Sequence, residues 1–97
     1  MTITWSSQAR CDLRAIHDFI ARDSEHYARL QIQRIISRVE RTANMPSRGH
    51  PVHEFIESNL REVHECGYRI IYAAVAEEFR VVTIIHMKQR ITRRRLR

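Results

Sequence analysis

Two histidines and one arginine in the last third of the chain are the residues best suited to chemistry. They are His64, Arg69 and His86, and each lies in a segment rich in β-branched and aromatic residues. Imidazole titrates near neutral pH, so two histidines could act as general base and general acid. A guanidinium can bind two phosphate oxygens and stabilise the charge that develops there. Together the three suit metal-independent cleavage of RNA, whereas each alone is more often an ordinary exposed residue or, for Arg69, the ion-pair partner of Glu62.

Three segments at the C-terminal end of the chain would have to bring these side chains together. Leu60–Glu65, Tyr68–Ala76 and Phe79–Met87 have the composition of strands, and short polar breaks separate them. Connections this short join antiparallel neighbours. The sequence therefore predicts a three-stranded antiparallel ribbon.

The two turns fix the predicted register of this ribbon. Cys66–Gly67 suits a two-residue hairpin turn, because Gly readily adopts a positive φ, and this turn places His64 opposite Arg69. A symmetric turn at Glu77–Glu78 places Arg69 opposite His86. Side chains directly opposite each other share a face, so the three would form one row. A slip of one residue would move one strand's members to the other face.

Alternation along the strands predicts one face for the helices and one mixed face. The face toward the helices would carry Val63, Tyr68, Ile70, Tyr72, Ala74, Phe79, Val81, Thr83, Ile85 and Met87. The mixed face would carry Glu62, His64, Arg69, Ile71, Arg80, Val82, Ile84, His86 and Lys88. A polar ligand could lie on the mixed face, and a protein partner could cover part of its aliphatic surface.

The first half of the chain predicts one strand and two amphipathic helices. Thr2–Trp5 alternates as a strand does, Ser6–Ser7 can cap a first helix, and Asp23–Ser24 can end it and cap a second. The second helix should stop before Pro46. The apolar stripes are Ala9, Leu13, Ile16 and Ile20 in the first helix, and Ala28, Ile32, Ile35, Ile36, Val39 and Ala43 in the second. We expect an α+β fold of order β-α-α-β-β-β, with both N-terminal helices packed on an antiparallel sheet.

Composition limits the class of protein and of partner. The 97 residues predict a single domain over 1–97, and 43% of them are hydrophobic. A net charge of +6 favours a nucleic acid or an acidic protein as partner. No long apolar run or leader sequence is evident, so we expect a cytoplasmic protein without a membrane partner. His50 and His53 are too few for a metal site, and we expect no metal and no cofactor.

Basic residues provide the candidate nucleic-acid contacts. A basic tail begins at about Lys88, and its alternative interpretation is a frayed, solvated end. The candidates are Arg61, Arg80, Lys88, Arg90, Arg93, Arg94 and Arg95. The arginines on the second helix (Arg29, Arg34, Arg38 and Arg41) are interpreted instead as a solvated helix surface.

The order of several sequence patterns is familiar. The first helix contains AxxDLxxIxxFIA, the following loop RGxPV, and the ribbon LREVxxxGYRIIY and VVTIIHMKQR. Over nearly the whole chain this order resembles the RelE/ParE superfamily of toxins from type II toxin–antitoxin modules. The resemblance implies two helices against an antiparallel sheet, a cognate acidic antitoxin, and a possible toxin–antitoxin hetero-oligomer.

The superfamily has two branches of activity, and the resemblance implies one of them. RelE-like members cleave messenger RNA on the ribosome, whereas ParE-like members inhibit DNA gyrase without chemistry of their own. Arg69 matches an arginine of the nuclease branch, but that branch's lysines near His64 and its late tyrosine have no counterpart here. We therefore favour gyrase inhibition. The alternatives are a ribosome-dependent endoribonuclease that uses His64, Arg69 and His86, and a non-toxic basic nucleic-acid-binding module.

Overall fold

One mixed five-stranded sheet forms the centre of the molecule, and two helices cover one of its faces. The computed structural model describes residues 1–96. Its elements are β1 (Thr2–Trp5), α1 (Ser7–Ala21), α2 (Glu25–Ala43), β2 (His50–Pro51), β3 (Leu60–Glu65), β4 (Tyr68–Val75) and β5 (Glu78–His86), with short 3-10 turns at Pro46–Arg48, His53–Phe55 and Arg93–Leu96. The strand order is β1-β5-β4-β3-β2.

The predicted α+β fold, with two N-terminal helices packed on a sheet, is confirmed. Two features extend it. β1 runs parallel to β5 at one edge, so the sheet is mixed rather than wholly antiparallel. The two-residue β2 pairs with β3 at the other edge, inside a stretch that the sequence predicted to be a loop.

Serine caps and apolar stripes explain both helices. The side chains of Ser6 and Ser24 accept hydrogen bonds from the Ala9 and Tyr27 amides, at 2.9 Å and 3.1 Å, as N-caps do. The predicted stripes then bury against the sheet. The main core consists of Ala9, Ile16, Ile35, Val39, Ala43, Val63, Ile70, Tyr72, Phe79, Val81 and Ile84.

The first predicted hairpin is confirmed residue by residue. His64 pairs with Arg69 and Glu65 with Tyr68. Cys66 and Gly67 form the turn with φ values of +56° and +84°. Positive φ at both central residues is the signature of the tight turn whose twist matches the flanking strands.

The predicted register of the second hairpin is wrong in two respects. The reversal lies at Ala76–Glu77 rather than Glu77–Glu78, because Val75 pairs with Glu78. Moving the turn shifts each pairing with β5 by two residues. Because side chains alternate between faces with every residue, this shift alone would have kept every side chain on its predicted face. A bulge then intervenes: Tyr72 pairs with Val81 but Ile71 pairs with Thr83, so Val82 is an extra residue on β5.

The bulge reverses the faces of the last part of β5. Ile84 packs in the main core on the helix side, while Ile85 packs on the opposite side, the reverse of the prediction. Arg69 pairs with Ile85, and His86 pairs with Tyr68 and lies edge-on to its ring at 5.8 Å between centroids. His86 and Arg69 therefore lie on different faces of the sheet.

Helix α1 supplies the hydrogen-bond partners that this bulge needs. Bulges disrupt the strand ladder, and buried amides and carbonyls then require other partners. The Ser6 hydroxyl donates to the Val82 carbonyl at 2.5 Å. Asp12 Oδ2 accepts from the Ile84 amide at 2.9 Å and from the Thr83 hydroxyl at 2.6 Å. The N-terminal turns of α1 thus hold β5 in its bulged conformation.

The chain after β5 covers the sheet face that the helices leave open. Its Ile91 is buried, and Leu96 packs beside it. The second core consists of Val52, Ile71, Val82, Ile85 and Ile91, with Phe55, Leu60, Ala73 and Leu96 packed against it. The predicted basic tail is therefore, through residue 96, a folded part of the domain.

We expect Asp12→Asn to destabilise the protein strongly. Asp12 is buried and accepts four hydrogen bonds, including those from Gln8 Nε2 and Arg95 Nη1 at 2.8 Å and 2.9 Å. An amide removes the charge and brings an NH₂ group against these donors. The free energy of unfolding, measured by urea denaturation, should fall by about 3 kcal/mol.

The matched control is Asp18→Asn on the exposed side of α1. Asp18 is exposed, and its Oδ1 lies 3.1 Å from Nδ1 of the partly exposed His17. This variant should change the free energy of unfolding by less than about 0.5 kcal/mol. Equal effects of the two substitutions would contradict the role of Asp12 at the bulge.

Candidate functional site

An open groove lies on the sheet face opposite the helices, where β3 and β4 meet the chain after β5. Its volume is about 450 Å³. The lining residues are His50, Pro51, His53, Glu54, Glu62, His64, Arg69, Met87, Lys88, Gln89 and Arg90. Two of the three predicted catalytic residues, His64 and Arg69, therefore share this groove, while His86 does not line it.

Arg69 forms the floor of the groove and is held by two carboxylates. Its Nε and Nη2 donate to Glu62 Oε1 and Oε2 at 2.9 Å and 2.6 Å. Its Nη1 and Nη2 donate to Glu54 Oε2 and Oε1 at 2.9 Å and 2.8 Å. These are two bidentate forks, the strongest arrangement available to a guanidinium.

A fifth hydrogen bond completes the coordination of this arginine. Arg69 Nη1 also donates to the Gln89 carbonyl at 3.0 Å, so all five N–H donors of the guanidinium have protein acceptors. The chain after β5 is bound a second time, because the Ile91 amide donates to Glu54 Oε2 at 2.9 Å. A phosphate could bind Arg69 only by displacing one of the two glutamates.

The charge of the groove floor is negative overall. Hydrogen bonds from Arg69 lower the pKa of Glu54 from 4.5 to about 2. Burial raises the pKa of Glu62, but hydrogen bonds from Arg69 and His64 more than offset this and leave it below its usual value. The two carboxylates raise the pKa of Arg69. Two negative charges and one positive charge therefore persist at neutral pH, an arrangement that disfavours a phosphate at the floor.

His64 lies at the rim of the groove, where its side chain is 44% exposed. Its Nε2 is 2.6 Å from Glu62 Oε1. An ionised carboxylate only accepts, so Nε2 carries the proton in this contact. His64 and Arg69 thus contact the same Glu62 oxygen, and they lie side by side as the predicted pairing of the first hairpin requires.

The predicted row of His64, Arg69 and His86 does not form. The bulge in β5 places His86 on the helix side of the sheet, where its Nδ1 accepts from the Lys88 amide at 3.1 Å. The sequence could not show the bulge, because the groups that stabilise it lie on α1. The general acid, general base and cation that the sequence predicted are therefore not assembled around one phosphate.

Two of the predicted nucleic-acid contacts are bound within the fold. Arg61 Nη1 donates to the Gly49 carbonyl at 2.6 Å. Arg95 Nη1 donates to Asp12 Oδ1 at 2.9 Å, and its side chain is 31% exposed. Both guanidinium groups stabilise the packing of a loop or of the C-terminal segment.

The other five predicted contacts are exposed. Lys88 and Arg90 line the rim of the groove, while Arg80 and Arg94 are on the surface away from it. Arg93 lies over the Phe55 ring at 5.6 Å from its centroid, a cation–π contact that still leaves it exposed. A role for any of these five in binding nucleic acid stays a prediction.

Sequence reasoning named Glu62, one of the two glutamates that bind Arg69, as the ion-pair partner in its alternative interpretation of Arg69. The confirmed hairpin register places Glu62 diagonally across from Arg69 on the same face, within reach of long side chains. Glu54 gave no comparable signal, because it lies in the loop before β3, whose path no periodicity describes. That path depends on the packing of Val52 and Phe55 in the second core.

Among residues 1–96, no three His, Cys, Asp or Glu side chains converge as metal ligands do. Across the same described range, none of the helices combines the length and the apolarity needed to span a bilayer.

Comparison with known proteins decides the family. The model of the family described as "ParE toxin of type II toxin-antitoxin system, parDE" matches residues 3–91. The chain belongs to this ParE toxin family. No curated protein matches it by sequence.

A solved structure confirms the fold of this family member. The chain resembles a structure titled "Chromosomal ParDE TA system from P. aeruginosa" with a TM-score of 0.78. The match covers 91% of this chain and 97% of that chain at 18% sequence identity. The resemblance to the RelE/ParE superfamily inferred from sequence patterns is thus confirmed, and membership of a toxin–antitoxin family implies an antitoxin partner.

Acid should weaken this protein through Glu54. Because the folded-state pKa of Glu54 lies below its ordinary value of 4.5, its contribution is present above pH 4.5 and is lost as the pH falls toward about 2. We expect the urea midpoint to drop across this window. The part of the stability due to Glu54 corresponds to about 3 kcal/mol, at about 1.4 kcal/mol for each pKa unit.

A pair of glutamine substitutions isolates this contribution. Glu54→Gln should be less stable than the parent protein at pH 7 and should show a shallower loss of stability between pH 5 and pH 2. Glu57→Gln changes an exposed glutamate three residues along the same loop and should retain the parent pH profile. Parallel profiles of the parent and Glu54→Gln would contradict the prediction.

Proposed function

We propose that this ParE family member arrests growth by inhibiting DNA gyrase rather than by cleaving messenger RNA. Family membership supports a toxin over a non-toxic nucleic-acid-binding module. Within the superfamily, the two activities make different demands on the groove. Inhibition of an enzyme needs a binding surface, whereas cleavage of a phosphodiester needs an acid, a base and charge stabilisation at one phosphate.

The hydrogen bonding of Arg69 is the observation that carries this proposal. A nuclease would need this guanidinium to bind phosphate oxygens as their charge develops. Here its five donors are taken by Glu54, Glu62 and the Gln89 carbonyl. Releasing one fork would leave a buried carboxylate unpaired, at a cost of about 3–5 kcal/mol. Arg69 is better suited to holding the fold than to binding substrate.

The separation of the two histidines supports the same choice. His64 is at the groove and His86 is on the other face of the sheet, so they are not placed to share acid and base roles. His64 alone could still move a proton. Codon-phased cleavage by His64 is therefore the second candidate, and it rests on this exposed imidazole and its contact with Glu62.

The antitoxin partner is proposed to be acidic. The chain carries 17 Lys and Arg against 11 Asp and Glu. A complementary segment that orders on binding would gain from this charge and from the exposed apolar residues of the helices, such as Phe19 and Tyr27. Binding to the cognate antitoxin would then block the toxin.

Two assays on the purified protein should separate gyrase inhibition from cleavage. In the first, gyrase acts on relaxed plasmid with ATP, and supercoiling should fail as the toxin is added and recover when its antitoxin is added. In the second, messenger 5′ ends are mapped in a translation extract, where the messenger should stay intact. His64→Ala and His86→Ala should inhibit gyrase as well as the parent, because both side chains are exposed and the fold should tolerate their loss.

The reverse pattern would overturn the proposal. Codon-phased cuts that disappear in His64→Ala, with normal supercoiling, would establish the nuclease. Cuts that persist in both histidine variants would point to a contaminating ribonuclease and would leave the supercoiling result to decide.

A further inference from the structure

Three arginines from two elements converge at the C-terminal end of α2. Arg38 and Arg41 extend from the last two turns of α2, and Arg48 extends from the 3-10 turn that follows. With Thr42 and Val63 they line a hollow of about 120 Å³. The hollow lies apart from the groove that contains Arg69, since the two share no lining residue.

The terminal nitrogens of these three arginines are available to a ligand. Within residues 1–96 their Nη groups donate no hydrogen bond, and only two Nε contacts occur: Arg41 to the Ser37 carbonyl at 3.4 Å and Arg48 to Met45 Sδ at 2.9 Å. Arg69, whose every donor is occupied, is the opposite case. The hollow therefore presents three guanidinium groups with unused donors.

The charges around the hollow are poorly balanced. Glu65 is the carboxylate that approaches, and its Oε1 is 3.9 Å from Arg38 Nη1 and 3.7 Å from Arg41 Nη2, too far for hydrogen bonds. The negative end of the helix dipole accounts for basic residues in the last turns of α2. It does not account for Arg48, which joins them from outside the helix. A bound anion would relieve the mutual repulsion of the three.

We propose that this hollow binds a phosphate group of a nucleic-acid backbone. The two oxygens of a carboxylate lie in one plane, whereas a phosphate offers oxygens in several directions. Three forks from two elements suit the phosphate. This assignment does not depend on gyrase as the target, since it concerns binding of the polynucleotide by the protein alone.

The salt dependence of DNA binding tests the proposal. Each phosphate contact contributes about 0.9 to the slope of log affinity against log salt concentration. Because the hollow would hold one phosphate, Arg38→Gln combined with Arg41→Gln should lower that slope by about 1 for a duplex DNA oligonucleotide, measured by fluorescence anisotropy. Arg48→Gln alone removes one of the three guanidinium groups from the same phosphate and should lower the slope by less than about 1, and it also serves if the double variant folds poorly.

A matched pair on α1 provides the control. Arg10→Gln combined with Arg14→Gln removes the same charge from two exposed helical positions and should leave the slope unchanged. Equal changes in the two double variants would overturn the proposal, because they would reflect the overall charge. Unchanged slopes in all variants, or undetectable DNA binding by the parent protein, would overturn it as well.

Two competitors distinguish the source of the anion. Inorganic phosphate at millimolar concentration should compete weakly, because it lacks the neighbouring phosphates of a backbone. Complete displacement of the DNA by inorganic phosphate at that concentration would assign the hollow to free phosphate. If poly-glutamate displaces the labelled DNA as effectively as unlabelled DNA does, and Arg48→Gln abolishes this displacement, the hollow would be assigned to an acidic peptide. Either of these results would overturn the polynucleotide assignment.

Discussion

The ion-pair cluster of Arg69, Glu54 and Glu62 is the interaction on which the functional face of this protein depends. It joins four separate parts of the chain: β4 through Arg69, β3 through Glu62, the preceding loop through Glu54, and the segment after β5 through Gln89 and Ile91. Two forks on one guanidinium offset the desolvation of three charges, whereas removal of Arg69 would leave the carboxylates of Glu54 and Glu62 buried without their guanidinium partner. The cluster therefore fixes the groove and the C-terminal segment as one unit.

This cluster also limits the chemistry of the groove. The Arg69 guanidinium at its floor is fully coordinated by protein, and the floor is negative overall. Positive charge lies instead at the rim, on Lys88 and Arg90, and at the end of α2 on the other side of β3. The groups that can attract nucleic acid are thus exposed Lys and Arg side chains at the rim of the groove and at the end of α2, rather than Arg69 itself.

The bulge in β5 is the second constraint, and α1 controls it. Ser6 and Asp12 supply the acceptor and donor groups that Val82, Thr83 and Ile84 require. The reversal of faces that follows lets Ile84 join the main core while Ile85 and Ile91 form a second core on the other side. A small α+β domain thereby buries apolar side chains on both faces of its sheet.

Local patterns in the sequence determined the two helices, their serine caps, the first hairpin and its pairing of His64 with Arg69, and the patterns of the RelE/ParE superfamily indicated the family. These features depend on periodicity and turn chemistry within short stretches. Only the tertiary structure decided the bulge, the face on which His86 lies, the use of Glu54 by Arg69, and the convergence of Arg48 with Arg38 and Arg41. Each of these depends on groups that are distant in sequence: a strand can gain an extra residue, or a loop carboxylate can reach a buried guanidinium, only where another element supplies the missing hydrogen bonds.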